Sequence, residues 1–459
     1  MNGTKTEQLN KSAARPWAAA AIWMLFLGLF FFLVWGICDW ITSMRPDVGT
    51  FYFEWERRIP FVPLMIIPYV SMDLFFAGST FLCRSRRELH SLVKRIVFAI
   101  LISAVGFLLF PLRLGFVRPD MTGSFRSAFD LLEFSIGKHN LFPSLHISLR
   151  WIIWDVYRRH TTGFLRYAIG GWFVLIALST ILAYQHQVID VLGGDIVAIL
   201  SFYAFPQCGP PVKRRPPQGM QLHSRVPAEL PNKNLRVGSI YATFSLMLLL
   251  FGYAARPWGI ILAWPAVALA ILASAYFGFG SAVFRKSRGR LPFSATALLA
   301  PYLLGAHLSS LYYRRSGEPY IEVAPGIVLG RKLNQQESVE AVRQGVTAVL
   351  DLTAEYPESD PFLVLPYKNI QILDLTTPTV DQLDEAVEFL RQHARGSKVY
   401  VHCALGYSRS ACVVAAYLLV ERKVLTVDEA VTTIRKMRPQ SVLKTDLISV
   451  LRAYHATLG

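Results

Sequence analysis

Eight long apolar runs limit the fold of this chain more than any other feature, because each is long enough to cross the hydrocarbon core of a bilayer. Hydrophobic residues make up 53% of the sequence and charged residues only 17%. The sequence therefore predicts a polytopic α-helical membrane bundle. The eight predicted spans are Trp17–Ile41, Ile59–Cys83, Ile96–Leu112, Leu141–Tyr157, Leu165–Tyr184, Val188–Phe205, Ser239–Ala254 and Pro257–Gly278.

The basic residues fit a membrane topology better than they fit nucleic-acid binding, although the net charge is +16. They form short clusters beside alternate apolar runs, and the positive-inside rule assigns these clusters and the N-terminus to the cytoplasm. We expect an integral protein of a bacterial inner membrane, in contact with membrane lipids and without a nucleic-acid partner. The clusters contain Lys5, Lys11, Arg15, Arg84, Arg86, Arg87, Lys94, Arg95, Arg158, Arg159, Arg166, Lys213, Arg214, Arg215, Arg285, Lys286, Arg288 and Arg290.

Two later segments interrupt the series of spans. Residues 207–237 include the sequence CGPPVKRRPPQG, whose proline and basic residues predict an exposed linker. The run Leu291–Tyr313 is long enough to span but contains Pro301 and His307, so we predict an interfacial or re-entrant segment. The alternative is a ninth span, which would place the C-terminal domain outside the cell.

One short segment near the C-terminus carries a recognisable chemistry. Cys403 and Arg409 are separated by five residues, so one loop between a strand and a helix can surround a phosphate. The loop N–H groups and the guanidinium would bind phosphate oxygens, and they would favour a nucleophilic thiolate that Ser410 can hydrogen-bond. The predicted strand is Val399–His402 and the predicted helix is Ser410–Leu419. The predicted phosphate-binding residues are Ala404, Leu405, Gly406, Tyr407 and Ser408.

This segment resembles the His-Cys-x5-Arg-Ser signature of protein tyrosine and dual-specificity phosphatases, over residues 318–459. The resemblance implies an α/β cysteine phosphatase that hydrolyses phosphate monoesters through a cysteinyl-phosphate, without a metal or other cofactor. Ala404 and Tyr407 stand where polyphosphoinositide phosphatases often carry lysine. We therefore expect a monophosphate ester, on a phospholipid or a phosphoprotein. The alternative for Cys403 is a buried structural thiol.

The family also uses a general acid upstream of the cysteine, and the resemblance assigns that role to Asp374. A carboxyl at the end of an apolar strand would be partly desolvated and could remain protonated. Two alternatives remain open: Asp374 caps a helix that begins near Val380, or Asp351 is the acid. Because a low-pKa thiolate oxidises readily, Cys403 favours a cytoplasmic location for this domain.

A second group of polar residues lies at predicted span ends on the non-cytoplasmic side. His186 and Asp190 are separated by three residues, which would put both on one face of a helical turn, with Asp190 orienting a nucleophilic imidazole. His146 could donate a proton to the departing oxygen, and Arg118 could neutralise a phosphate.

These residues resemble the three motifs of the type 2 phosphatidic acid phosphatase superfamily. The resemblance implies a phosphohistidine at His186, with Arg118, Ser144 and Ser179 as phosphate contacts. Pro111 and Thr180 replace basic residues of that pattern, which favours the inositol phosphorylceramide and sphingomyelin synthase branch.

We therefore predict a bifunctional membrane phosphatase with a lipid-phosphate phosphatase or transferase domain at 17–206. Residues 207–237 would link it to two further spans and an interfacial segment at 238–315, and the dual-specificity phosphatase would occupy 318–459. An alternative is that the membrane domain is a non-catalytic lipid-binding anchor. A transporter is a poorer alternative, because the histidines lie at span ends rather than at the midplane.

Overall fold

A computed structural model describes residues 15–46, 48–119, 123–136, 139–206, 232–255, 261–314 and 317–458. The predicted linker falls mostly on residues 207–231, which lie outside the described residues. The chain divides into two compact units, Met1–Met220 and Gln221–Gly459. Each unit is described by itself.

The described secondary structure of the first unit is helical apart from isolated β-bridges that join Gly49, Leu112 and Asn140, and it includes short 3₁₀ turns at Glu54–Arg58 and Pro63–Met65. Its seven described α-helices are α1 (Trp17–Ser43), α2 (Ile66–Leu82), α3 (Arg86–Leu109), α4 (Ser124–Ile136), α5 (Leu145–His160), α6 (Gly163–Leu182) and α7 (Val188–Ala204).

Helices α1–α3 and α5–α7 pack around one hydrophobic core, which includes Leu27, Ile96, Ile152 and Ile176. Their outer surfaces are also apolar: Leu29 on α1, for example, is 64% exposed. Helices that are apolar on both their inner and outer faces are typical of a membrane bundle, where the outer face meets lipid.

Six described helices are long and apolar enough to cross a membrane, rather than the eight that we predicted from sequence. The predicted fourth and sixth spans form α5 and α7, which have 16 and 17 residues. Helix α5 also carries ionised groups, and Asp155 forms a buried ion pair of 2.9 Å with Arg95 of α3. The six helices are Trp17–Ser43, Pro63–Leu82, Arg86–Leu109, Gly163–Leu182, Lys233–Ala254 and Ala263–Phe284.

The second unit begins with four described α-helices that precede its sheet. A π-helical turn at Ala275–Phe279 and a 3₁₀ turn at Gly280–Phe284 extend the helix Ala263–Ser274. The predicted interfacial segment forms two short helices of 6 and 14 residues instead of one span-length helix. The four are α8 (Asn232–Ala254), α9 (Ala263–Ser274), α10 (Phe293–Leu298) and α11 (Ala300–Tyr313).

The rest of the second unit is an α/β domain around a five-stranded mixed sheet. The strands are β1 (Tyr320–Ala324), β2 (Ile327–Arg331), β3 (Val346–Thr353), β4 (Tyr367–Ile372) and β5 (Lys398–Cys403). Their order is β1-β2-β5-β3-β4, and only β1 runs antiparallel to its neighbour. The described helices are α12 (Gln335–Arg343), α13 (Asp360–Leu363), α14 (Val380–His393), α15 (Arg409–Val420), α16 (Val427–Met437) and α17 (Thr445–His455).

The sheet carries helices on both faces, as a largely parallel sheet requires. Helices α14–α17 bury one face with residues such as Leu383 and Val413, and α12 and α13 cover the other with Ala341 and Phe362. Strand β5 is central, so the loop that follows Cys403 emerges from the middle of the carboxyl edge of the sheet.

Candidate active site

The loop from Cys403 to Arg409 connects β5 to α15, as the sequence predicted. The carbonyls of Ala404 and Tyr407 accept hydrogen bonds from the backbone N–H groups of Lys332 (3.2 Å) and Val442 (2.8 Å), outside the loop. Gly406 has a φ of +74°, and a Cβ there would lie 2.5 Å from the carbonyl oxygen of Gly330. Only glycine therefore fits this turn.

Cys403 is buried, and its surroundings favour the thiolate. Burial alone raises the thiol pKa, but the charge of Arg409 and hydrogen bonds from the Ser410 hydroxyl and from the N–H groups of Ser410 and Gly406 lower it more. The net pKa lies below the ordinary cysteine value. The Ser410 hydroxyl lies 3.3 Å from the sulfur. A buried, stabilised thiolate at a helix N-terminus is suited to nucleophilic attack on phosphorus.

Arg409 is buried and held by a carboxylate that sequence inspection did not identify. Its two terminal nitrogens donate to the two carboxylate oxygens of Glu355 at 2.7 and 3.2 Å, and one also donates to the Ile372 carbonyl at 2.8 Å. Glu355 follows the end of β3, which neighbours β5 in the sheet. The sequence contained one signal for Glu355, which is its position just after a strand that runs parallel to the strand of the signature. The carboxyl ends of neighbouring parallel strands meet at one edge of the sheet, so an acidic residue there could contact Arg409.

Asp374 follows β4 and approaches the same arginine. One carboxylate oxygen lies 3.2 Å from a terminal nitrogen of Arg409, and the Asp374 side chain is 53% exposed, more than we expected for a desolvated acid. Thr379, not Asp374, caps α14 at its N-terminus. The structure therefore brings the three predicted residues Cys403, Arg409 and Asp374 to one site.

Asp351, the alternative acid, lies in a buried polar network beneath the sheet edge. Its carboxylate lies 2.5 Å from the ammonium of Lys286 and accepts a 2.6 Å hydrogen bond from Tyr367. Burial raises the pKa of Asp351, but the charges of Lys286 and His402 lower it by a larger amount. The net pKa is therefore below the ordinary aspartate value. The described residues around the Cys403 cavity do not include Asp351.

Among the described residues, Asp351, Glu358 and His402 of the same network have ligand atoms close enough together to hold a metal ion. Single ligand atoms of Asp351, Glu358 and His402 all lie within 4.8 Å of one another. However, His402 Nε2 lies 2.7 Å from Glu358, and the Lys286 ammonium already neutralises Asp351. A second cation would compete with this internal charge pairing, so the residues suit a structural network better than a metal site.

A cavity of about 390 Å³ opens above Cys403. Asp374, Glu355 and the phosphate loop line one part of it, and helix α11 lines another part with Tyr302, Ala306, Ser309, Ser310 and Tyr313. Lys444 and the ion pair between Lys233 and Asp446, at 2.5 Å, also line it. The helical segment before the sheet therefore forms part of the wall of this site.

In the first unit, His186 and Arg118 line a separate cavity of about 510 Å³. His186 Nδ1 lies 3.5 Å from Asp190, but the two do not share a helical turn as predicted, because α7 begins only at Val188. Asp190 accepts a hydrogen bond from the backbone N–H of Gln187 at 2.9 Å instead.

The other predicted residues of this group lie outside the set of described residues that line the cavity. His146 stacks on Tyr69, one of the lining residues, with ring centroids 4.2 Å apart. Ser144 caps α5 by accepting from the Ile147 N–H, and Ser179 donates to the Ile176 carbonyl. The structure therefore brings His186 and Arg118 together at one cavity but does not bring the two serines there.

The α/β domain is similar to several known phosphatases. The family model described as dual specificity phosphatase, catalytic domain, matches residues 327–457. The human phosphatidylglycerophosphatase and protein-tyrosine phosphatase 1 is 32% identical over 150 residues, which are 30% of this chain and 73% of that protein. Mouse dual specificity protein phosphatase 12 is 31% identical over 140 residues, and the chain spans only 41% of it. Arabidopsis thaliana phosphatidylglycerophosphate phosphatase PTPMT1 is 30% identical over 128 residues, 38% of its length.

Proposed function

Because this chain belongs, through its C-terminal domain, to the dual specificity phosphatase family, we propose that it hydrolyses a phosphate monoester by way of a cysteinyl-phosphate at Cys403. The observation that carries this proposal is the meeting of a stabilised thiolate, Arg409 and Asp374 at one cavity. The family match and the geometry of the loop support the same chemistry independently.

The proposed reaction has two steps. The Cys403 thiolate attacks phosphorus while the phosphate oxygens are held by the loop N–H groups and Arg409, and protonated Asp374 gives its proton to the leaving alkoxide. Water then attacks the cysteinyl-phosphate; the Asp374 carboxylate takes a proton from that water, and phosphate and the thiolate are released. The Ser410 hydroxyl stabilises the sulfur as a thiolate in both the first and last states.

We propose that the substrate is a membrane phospholipid bearing a phosphate monoester. Helix α11 supports this: one face lines the cavity, while Leu304, Leu308 and Leu311, on another, are 61%, 57% and 41% exposed. An exposed apolar stripe beside an active site suits contact with lipid. The names of the human and Arabidopsis relatives describe a phosphatidylglycerophosphate phosphatase, which agrees with this class.

The test is phosphate release in phospholipid vesicles by the full chain carrying His186→Ala, which removes the predicted nucleophile of the first unit. Phosphatidylglycerophosphate and phosphatidic acid should be hydrolysed with a higher kcat/KM than a phosphotyrosine peptide, and Cys403→Ser should abolish all three activities. A preference for the peptide would reject the lipid substrate and retain the cysteine chemistry. Activity that survives in Cys403→Ser would reject the proposed reaction.

We also propose a second activity for the first unit, hydrolysis or transfer of a lipid phosphate through a phosphohistidine at His186. The 3.5 Å separation of His186 and Asp190, in a cavity that includes Arg118, supports it. The test is labelling by a radiolabelled lipid-phosphate donor in a Cys403→Ser background, which removes the other nucleophile. Label should appear in that protein and be absent after a further His186→Ala change. A protein that takes up no label would favour the non-catalytic lipid-binding anchor.

A further inference from the structure

We infer that Tyr276, which lies in the helical segment before the matched phosphatase residues, is a positioning residue for Asp374. The inference rests on the proposed role of Asp374 as the general acid. Tyr276 does not contact the reacting atoms; it holds the peptide unit that carries the acid. The helices before the sheet would then contribute to the active site in addition to attaching the domain to the membrane.

The contact is a hydrogen bond in which the Tyr276 hydroxyl donates to the backbone carbonyl of Asp374 at 2.9 Å. Tyr276 is only 2% exposed, and its ring stacks on Tyr241 with centroids 5.7 Å apart. A buried ring held by stacking keeps its hydroxyl in one direction, and a buried hydroxyl is costly to leave without a partner. The position of Tyr276 therefore restricts the position of the Asp374 carbonyl.

The acid itself needs such a restraint. Its side chain is half exposed, so packing does little to orient the carboxyl. Asp374 lies in a tight turn in which the N–H and hydroxyl of Thr376 donate to the Leu373 carbonyl, at 3.3 and 2.9 Å. Leu375 in this turn has a φ of +60°, a conformation that leucine rarely adopts. A hydrogen bond to the adjacent peptide helps to hold this unfavourable turn in place.

Apolar packing joins the same turn to the helices. Leu373, immediately before the acid, belongs to one buried cluster with Leu272, Tyr276, Phe284 and Leu299. A second link lies next to Glu355, where the Tyr356 hydroxyl donates to the Ala306 carbonyl of α11 at 2.8 Å. The helices thus contact both the turn that carries the acid and the loop that carries the carboxylate holding Arg409.

The role can be separated from general stability by the choice of leaving group. The rate acceleration from a general acid is larger when the leaving oxygen is more basic, because a basic oxygen departs slowly unless it is protonated. A nitrophenolate leaves readily without one, whereas the phenolate of phenyl phosphate, with a conjugate-acid pKa of about 10 as in tyrosine, needs protonation. Misplacing Asp374 should therefore slow phenyl phosphate hydrolysis selectively, whereas partial unfolding would lower both rates equally.

The experiment compares Tyr276→Phe with Tyr241→Phe in the full-length protein. Both changes remove one hydroxyl from stacked rings, but only Tyr276 donates to Asp374. We expect Tyr276→Phe to lower kcat for phenyl phosphate about fivefold to tenfold, and for nitrophenyl phosphate less than about twofold. Tyr241→Phe should match wild type on both substrates.

An equal loss on the two substrates, or no loss on either, would overturn the positioning role of Tyr276. So would an identical selective loss in Tyr241→Phe. Asp374→Asn serves as the reference and should show the same selectivity with a larger amplitude. If Asp374→Asn is unselective, the acid assignment itself fails, and that result is distinct from a failure of Tyr276→Phe alone.

Discussion

The ammonium of Lys286 lies 2.5 Å from a carboxylate oxygen of Asp351, and both side chains are almost fully buried. Lys286 also donates to the carbonyl and hydroxyl of Thr353, at 2.9 and 3.0 Å. The lysine follows the membrane-span candidate Ala263–Phe284, whereas the aspartate lies in the central sheet. This ion pair therefore makes the helical segment part of the folded phosphatase domain.

Lys286→Met should destabilise the domain by about 3–5 kcal/mol, because it leaves the Asp351 charge buried without its partner. The exposed Arg288 provides a matched control, and Arg288→Met should change stability by less than about 0.5 kcal/mol. Denaturant unfolding of the two variants, followed by phosphatase activity, measures the difference. Equal stability of the two variants would contradict the structural role of Lys286.

The same pair implies a direction of pH dependence. Burial raises the Asp351 pKa, but Lys286 and His402 lower it more, so the folded value lies below the unfolded one. The stabilisation is therefore present above the unfolded pKa of about 3.9 and is lost as pH falls through the folded pKa. The stability gap between wild type and Lys286→Met should narrow as the solution is acidified, because the unpaired Asp351 of the variant is protonated before the paired Asp351 of wild type.

Asp374→Asn should lower kcat for phenyl phosphate by about a hundredfold or more, the usual scale for a lost general acid. Phosphate binding should change little, because Arg409 and the loop N–H groups remain. Asp351→Asn should act mainly on stability, since Asp351 lies in the buried network. Steady-state rates corrected for the folded fraction distinguish the two, and a larger kcat loss in Asp351→Asn would assign the acid to Asp351.

The Ser410 hydroxyl should control how easily Cys403 ionises. Its hydrogen bond is one of the contacts that lower the thiol pKa, so Ser410→Ala should raise the pH midpoint of alkylation at Cys403. In wild type that midpoint should lie below the usual thiol value of about 8.5. Mass spectrometry can read Cys412 as an internal control, because burial raises its pKa to about 12. An unchanged midpoint in Ser410→Ala would contradict this role.

The parts of the fold that sequence predicted are those with local signals. The strand Val399–His402 and the helix Ser410–Leu419 are confirmed within β5 and α15, because an apolar strand, a phosphate loop and an apolar helix are contiguous. The helix start at Val380 is also confirmed, where Thr379 and Gln382 form a capping box.

The parts that sequence did not predict depend on contacts between distant residues. Glu355 lies 54 residues from Arg409, and Tyr276 lies 98 residues from Asp374. The described helices that are long and apolar enough to cross a membrane number six rather than eight, because α5 and α7 have only 16 and 17 residues and α5 buries Asp155 against Arg95. Apolar composition alone does not separate a helix in lipid from a helix packed among others.

The sidedness of the membrane remains a prediction from the positions of basic residues. Reporter fusions at the C-terminus should be active only with cytoplasmic reporters, and insertions at Gly123 only with external ones. A cytoplasmic C-terminus agrees with the redox requirement of Cys403. An external C-terminal reporter would contradict this sidedness.

The most direct test of the central claim is to trap the phosphoenzyme. The full-length protein with Asp374→Asn, whose dephosphorylation should be slow, and His186→Ala, which removes the other proposed nucleophile, is mixed with nitrophenyl phosphate that carries a radiolabelled phosphate and is quenched within a turnover. We expect one phosphate per chain on the peptide that contains Cys403, and no label in the same protein with Cys403→Ser. Label on another residue, or turnover that persists when Cys403→Ser is combined with His186→Ala, would contradict the cysteinyl-phosphate mechanism.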